Sequence, residues 1–359
     1  AKGYAYGIAL ANLIGKLSNN SITNNEIVIY ADEMAYLIEL HMVENTTIAN
    51  NTLYGESNGI YGVGVYSSSN VTIENNTISA FGGDLKNIKS VEDVLGIGNA
   101  AISSIKFVDN ITINNNLIIT NITNPVAKIN VNSEANVNIS SNSYVVSDSN
   151  FNTYFSNNEL IKGNIEENGK ILLYNLTNGQ IIKITSPVVI SSYDNNIPTT
   201  VSLILNKVSN VTICNINFAN STIELKGSSN NTIINNNFNS AKSTLLIINS
   251  GENNTFADNS ISINSDKISG IQLTKTNSNN ISNNEFNLNG NSVKAIILDS
   301  SKDNVIEGNI FLSDANDIIF IESTKSMNNN IIKNTLKGNA SSIYGYYASN
   351  SNYGHIVQN

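Results

Sequence analysis

The chain has no arginine and no tryptophan, one cysteine, two histidines, three methionines and three prolines in 359 residues. Each shortage removes a class of explanation. Cys214 alone cannot build an intrachain disulfide framework, and a lone cysteine inside an apolar repeat is expected as a small core residue rather than a reactive thiol. The soft and imidazole donors are Met34, Met42, Met327, Cys214, His41 and His355, too dispersed for a copper site. No Gly-Gly-x-Gly-x-Asp run is present for calcium, so neither a metal nor a cofactor is expected. Positive charge is scarce too. The net charge is −9, and without a basic stripe nucleic acid is not an expected partner. No apolar run reaches the ~18 to 20 residues of a membrane span. The opening AKGYAYGIAL lacks the order of an export signal, as expected of a mature or excised segment.

Asparagine is abundant instead, at about one residue in five. Hydrophobic residues make up 40% and charged residues only 13%, which excludes a low-hydrophobicity disordered chain. The asparagines are not scattered. SSNVTIENNTIS at 68–79 returns as NTTIANNTL, NITINNNLI, NNTIINNNF and NNTFADNSI, giving a frame Asn-x-Thr-Ile-x-x-Asn-x-Ile. The frame begins at positions 19, 45, 70, 110, 136, 210, 230, 253, 278, 303 and 328. Outside two long gaps its spacing is about 20 to 26 residues, a solenoid period.

The fourth frame position is apolar in every copy, from Ile22 and Ile48 to Ile306 and Ile331, and the ninth runs from Ile27 and Leu53 to Phe311 and Leu336. These predict stacked core rows. A second apolar segment precedes most frames with period two, as in Ile38 and Leu40 or Ile271 and Leu273. That alternation, rich in β-branched residues, predicts strands. Several short strands per repeat, none able to bury its face alone, predict an all-β parallel β-helix solenoid.

The seventh position is Asn25, Asn51, Asn76, Asn116, Asn142, Asn236, Asn259, Asn284, Asn309 and Asn334, broken by Ile216. Asparagine tolerates a left-handed corner, and its amide can donate to one coil and accept from another. A structural Asn ladder is therefore expected here, with a shorter one through Asn231, Asn254, Asn279, Asn304 and Asn329.

The gaps define the organisation. Residues 1–147 read as β-helix coils, the C-terminal part of one helix, with an excursion near 80–96 that carries charges and a short helical pattern. Residues 148–200 read as a cap or restart, and further coils complete 148–359; the two blocks form either separate helices or one axis.

The aligned frame resembles the right-handed parallel β-helix superfamily, in its Asn-rich NosD-like and pectate-lyase-like branches. More narrowly, GIYGVGVYSSSNVTIENNTI and NFNTYFSNNELIKGNI…LYNLTNGQIIKITSPVVI resemble the repeat and domain-opening segment of adhesin-like surface proteins of methanogenic archaea. That resemblance implies a right-handed coil and an extracellular, cell-surface protein of several domains. The superfamily also holds lyases, which use a Ca²⁺ site with an Arg or Lys base, and hydrolases, which use clustered Asp with His and Arg-x-Lys. Neither set carries over onto matching positions of a chain with no arginine and only His41 and His355. No catalytic residue is assigned.

The expected role is a non-enzymatic structural or adhesin-like stalk that meets other subunits or neighbouring β-helix domains end to end, and cell-surface glycans through its outer face. The alternatives are a polysaccharide lyase or glycoside hydrolase and a phage-tailspike-like binder. Tyrosines suit glycan or partner contact because the ring stacks while the hydroxyl bonds. Candidates are Tyr66, Tyr344, Tyr346, Tyr347 and Tyr353, whereas Tyr61 is in phase with Val63 and Val65 and is expected to point inward. Asn-x-Ser/Thr triplets are about as frequent as composition alone produces, so position must discriminate. Asn45, Asn70, Asn110, Asn210, Asn230 and Asn253 are the N-glycosylation candidates.

Overall fold

A computed structural model describes residues 1–12, 14–83, 99–104, 108–122, 129–131, 136–160, 165–166, 168–177, 179–352 and 354–359. It divides into two compact units, Ala1–Ser156 with Ile161–Leu172, and Asn157–Leu160 with Leu173–Asn359. Each unit is a parallel β-solenoid. Most of the 80–96 excursion and Tyr353 lie outside the described residues.

In the first unit one parallel sheet contains Tyr4–Ala11, Met34–His41, Gly59–Tyr66, Asn99–Ser104 and Ile129–Val131. A second stacks Val43–Ala49, Ser69–Glu74, Asp109–Asn114 and Val137–Ser140, and a third stacks Glu26–Tyr30, Thr52–Ser57, Thr77–Gly82, Leu117–Thr120 and Ser143–Val146. A single helical turn, Phe151–Tyr154, follows, and Phe151, Tyr154 and Phe155 are all buried.

The second unit repeats the plan with more regular coils. Ser202–Asn206, Ile223–Lys226, Leu246–Asn249, Lys267–Thr274, Ser292–Asp299, Asp317–Thr324 and Ser342–Ser349 succeed one another in one sheet. Register is direct, so like residues stack: Ile281 on Ile306 on Ile331, and Phe286 on Phe311. Ile213, Ile233, Phe256, Ile281, Ile306 and Ile331 are at most 2% exposed. Each such side chain stabilises by about 1.5 to 3 kcal/mol on leaving water.

Corners form where the sequence repeats its small polar residues. Left-handed backbone recurs at the first frame position, as in Asn45 (φ 49) and Asn230 (φ 56), and at the sixth, as in Asn50 (φ 57) and Asn235 (φ 56). It recurs again after the long strands, at Ser67, Lys207, Gly227, Ser250, Lys275, Ser300 and Lys325. The expectation that the ladder asparagines themselves take this conformation is corrected: the residue before each one does. A left-handed residue reverses the chain, and the next side chain then points into the coil.

Those inward residues form the ladders. Asn51 donates its backbone N–H and its Nδ2 to Asn76 Oδ1, both at 2.9 Å, and its second Nδ2 hydrogen to Ile22 O in the coil behind. Asn76, Asn116, Asn236, Asn259, Asn284, Asn309 and Asn334 repeat the arrangement. Asn231, Asn254, Asn279 and Asn304 form a second ladder of the same kind. A rung with asparagine on both sides thus donates twice through Nδ2 and accepts twice at Oδ1. In the first unit the series ends on a carboxylate: Glu166 Oε1 accepts from the Asn142 N–H at 2.8 Å, and its other oxygen accepts from the Tyr144 hydroxyl. Ile216, without an amide, still gives its N–H to Asn236 Oδ1 at 3.0 Å.

Candidate binding site

The long strands carry a local irregularity that decides which side chains face outward. In Lys267–Thr274, Gly270 and Ile271 are buried in succession, so strict alternation slips by one residue at mid-strand. The paired strands Met34–His41 and Gly59–Tyr66 bring Tyr6, Tyr36 and Tyr61 into register on their first half. Tyr6 stacks on Tyr36 at 4.9 Å and 4°, Tyr36 lies 5.4 Å from Tyr61, and Tyr61 meets Tyr66 edge-on at 6.5 Å. This is a row separate from the aliphatic core. Period two extrapolated through the slip placed Tyr61 with Val63 and Val65; the structure sets it on the opposite face.

Tyr66 is a second correction. Its ring covers Gly64, whose position leaves room for it, and Tyr66 is 1% exposed, so it is not a surface contact residue. Its hydroxyl is buried without a hydrogen-bond partner among the described residues, and burial beside Tyr61, Tyr36 and Glu39 pushes its pKa far up. Burial likewise raises the Glu39 carboxyl and the Tyr36 and Tyr61 hydroxyls. Cys214 needs correction too: Ile213 takes the inward position and Cys214 lies half-buried on the outer side of its strand.

The C-terminal tyrosines divide by register. Tyr346 continues the core row of Ile321, whereas Tyr344 and Tyr347 are exposed and meet edge-on at 5.7 Å. Tyr346 also lines a cavity of about 330 Å³ with Asn329, Ser351 and Ile356. The glycosylation candidates Asn45, Asn70, Asn110, Asn210, Asn230 and Asn253 are all exposed left-handed corner residues. Three of them hold one another: Asn70 Nδ2 donates to Asn45 Oδ1 at 3.0 Å and Asn110 Nδ2 to Asn70 Oδ1 at 2.7 Å.

Sequence reasoning missed a different stripe. The sheet through Glu26–Tyr30, Thr52–Ser57 and Thr77–Gly82 carries Tyr30, Tyr54 and Phe81 on its outer face. Tyr30 lies 5.6 Å from Tyr54, and Tyr54 5.7 Å from Phe81. Beside them is an open cavity of about 660 Å³ lined by Tyr30, Asp32, Glu56, Ser57, Asn58 and Phe81 among others. The repeat itself held the signal, since each aromatic stands an odd number of residues, one or three, beyond a ninth-position inward residue, Ile27, Leu53 or Ile78.

Outer-row carboxylates elsewhere pair with lysines, Glu224 with Lys226 at 3.1 Å and Glu322 with Lys294 at 2.8 Å. Among the described residues no three His, Cys, Asp or Glu side chains gather as a metal-binding group, and no helix is long and apolar enough to cross a membrane.

Residues 199–359 match the right-handed beta helix region family, which agrees with the coil geometry of the second unit. No curated protein matches the sequence. Among solved structures, the chain is similar to the A-module of mannuronan C-5 epimerase AlgE4 from Azotobacter vinelandii, with 11% identity, TM-score 0.32, and 93% of this chain and 90% of that one covered. It is also similar to PfbA, a surface adhesin of Streptococcus pneumoniae, with 11% identity, TM-score 0.26, and 92% and 85% covered.

Proposed function

We propose that the chain is a non-enzymatic, extracellular β-helical segment that serves as a rigid surface stalk and displays its outer face to cells, glycans or neighbouring subunits. The observation carrying this reading is the set of buried amide ladders in each unit. Where asparagine rungs succeed one another, each coil is locked to the next by two hydrogen bonds to one oxygen, which makes rigid spacers of about 4.8 Å per coil. Rigidity of this kind suits display. Exposed Tyr344 and Tyr347, with Ile343 and Ile356 from the core rows, supply contact groups for end-to-end association with another β-helix domain or subunit. The repeat's resemblance to adhesin-like surface proteins supports the extracellular setting.

The test is incubation of the purified protein with neutral and acidic polysaccharides, read for new reducing ends and unsaturated uronates, alongside surface labelling of cells that express it. Surface exposure without turnover is expected. Any chain cleavage, epimerisation or elimination that is lost on substituting a single carboxylate would overturn the non-enzymatic reading.

A further inference from the structure

We infer that the outer groove of the first unit, lined by Tyr30 and Phe81 with Tyr54 packed between them, binds a glycan chain that lacks acidic groups. The inference deepens the display reading and rests on it for the groove's access to such a chain. Three consecutive coils each contribute one ring, with centroid separations of 5.6 and 5.7 Å between successive rings. Successive rings are tilted by 51° and 50°, which leaves no ring face stacked shut against its neighbour. Tyr30 is 60% exposed, so much of its ring is open to a ligand. The C–H faces of pyranose rings are the complementary surface, and sugar rings joined in a chain advance by a comparable step.

The polar lining selects among glycans. Asp32 and Glu56 bring carboxylates to the groove, and among the described residues no lysine lines it. Carboxylate oxygens accept hydrogen bonds from sugar hydroxyls but repel uronates and sulfated sugars. Burial, with Tyr30 and Glu56 beside it, raises the pKa of the Tyr54 hydroxyl. Ser57, also in the lining, has a buried hydroxyl with no partner among the described residues. Asn58 gives its Nδ2 to Asp32 O at 2.6 Å, which fixes the rim. A few oriented polar groups beside apolar faces are the usual composition of a small-molecule site.

The full chain is tested by affinity electrophoresis and calorimetry against a neutral β-glucan, a neutral mannan and polygalacturonate. Binding of at least one neutral polymer is expected, with Tyr30→Ala and Phe81→Ala each weakening it about 5- to 10-fold. Both side chains are at least partly exposed, so the variants keep the wild-type unfolding transition, and Tyr344→Ala leaves affinity unchanged. Glu56→Lys should reduce neutral-glycan binding and admit polygalacturonate. Failure of all neutral polymers to bind, preference of the wild type for polygalacturonate, or full affinity in Tyr30→Ala and Phe81→Ala would each overturn the assignment. Failure of the stalk reading registers elsewhere, as polymer turnover or absence from the cell surface.

Discussion

Asn284 and Asn309 are joined twice through a single atom: the backbone N–H of Asn284 donates to Asn309 Oδ1 at 2.9 Å and its Nδ2 to the same oxygen at 3.0 Å. Asn284 in turn accepts both donors of Asn259 and reaches Phe256 O with its remaining hydrogen. Replacing it by alanine strands two donors of Asn259 in a buried coil. Asn284→Ala is expected to cost about 2 to 4 kcal/mol, whereas Asn25→Ala, at a half-buried rung, costs less than about 1 kcal/mol. Urea unfolding of the two variants measures the difference, and equal losses would refute the ladder's role.

Corner chemistry allows a gain. Lys333 occupies the left-handed sixth position with φ 53, where the equivalent coils carry Asn235 or Asn283. Lys333→Asn is expected to add about 0.5 to 1 kcal/mol and Lys333→Ile to remove at least that much, because a β-branched side chain resists positive φ. Thermal melts should order the proteins Asn, Lys, Ile.

Phe286 and Phe311 stack at 4.6 Å and 14° inside the second unit. Phe311→Ala is expected to cost about 3 to 5 kcal/mol through lost burial and a cavity, and Phe311→Leu less than about 2 kcal/mol. A chevron or equilibrium urea series checks both. Tyr344→Ala, at an exposed site, should lie within about 0.5 kcal/mol of the parent.

Glu39 gives the protein a pH dependence with a definite sign. Burial raises its carboxyl in the folded state, so between the unfolded and folded pKa values the folded chain holds the proton that the unfolded chain has released. Its contribution to stability therefore falls as pH rises through that window. Below the unfolded value, about 4.3, both states are protonated and no penalty remains. Glu39→Gln is expected to be more stable than the parent at neutral pH and to converge with it in acid. A parent that outlasted Glu39→Gln at neutral pH would contradict this sign.

Much of the fold was legible because the same local requirement recurs every coil. Ile48, Ile73 and Ile113 face inward and Asn51, Asn76 and Asn116 join in sequence even though the last two are separated by 40 residues rather than 25. The candidate site was legible only in part. Tyr344 and Tyr347 are exposed, but Tyr66 lies buried over Gly64, and Tyr61 changes face where alternation slips. Alternation assigns a side of the strand. It carries no information on whether that side meets water.

What the sequence determined by itself is the coil: its period, its core rows, its amide rungs and the polar corners between them. These follow from burial and hydrogen bonding that each repeat must satisfy in the same way. Only the tertiary structure decided which outer residues become neighbours. Tyr30, Tyr54 and Phe81 come from three coils and different outer rows, and their contact depends on stacking register and side-chain lean. Those are set between coils, where the repeat leaves the outer side chains free to vary.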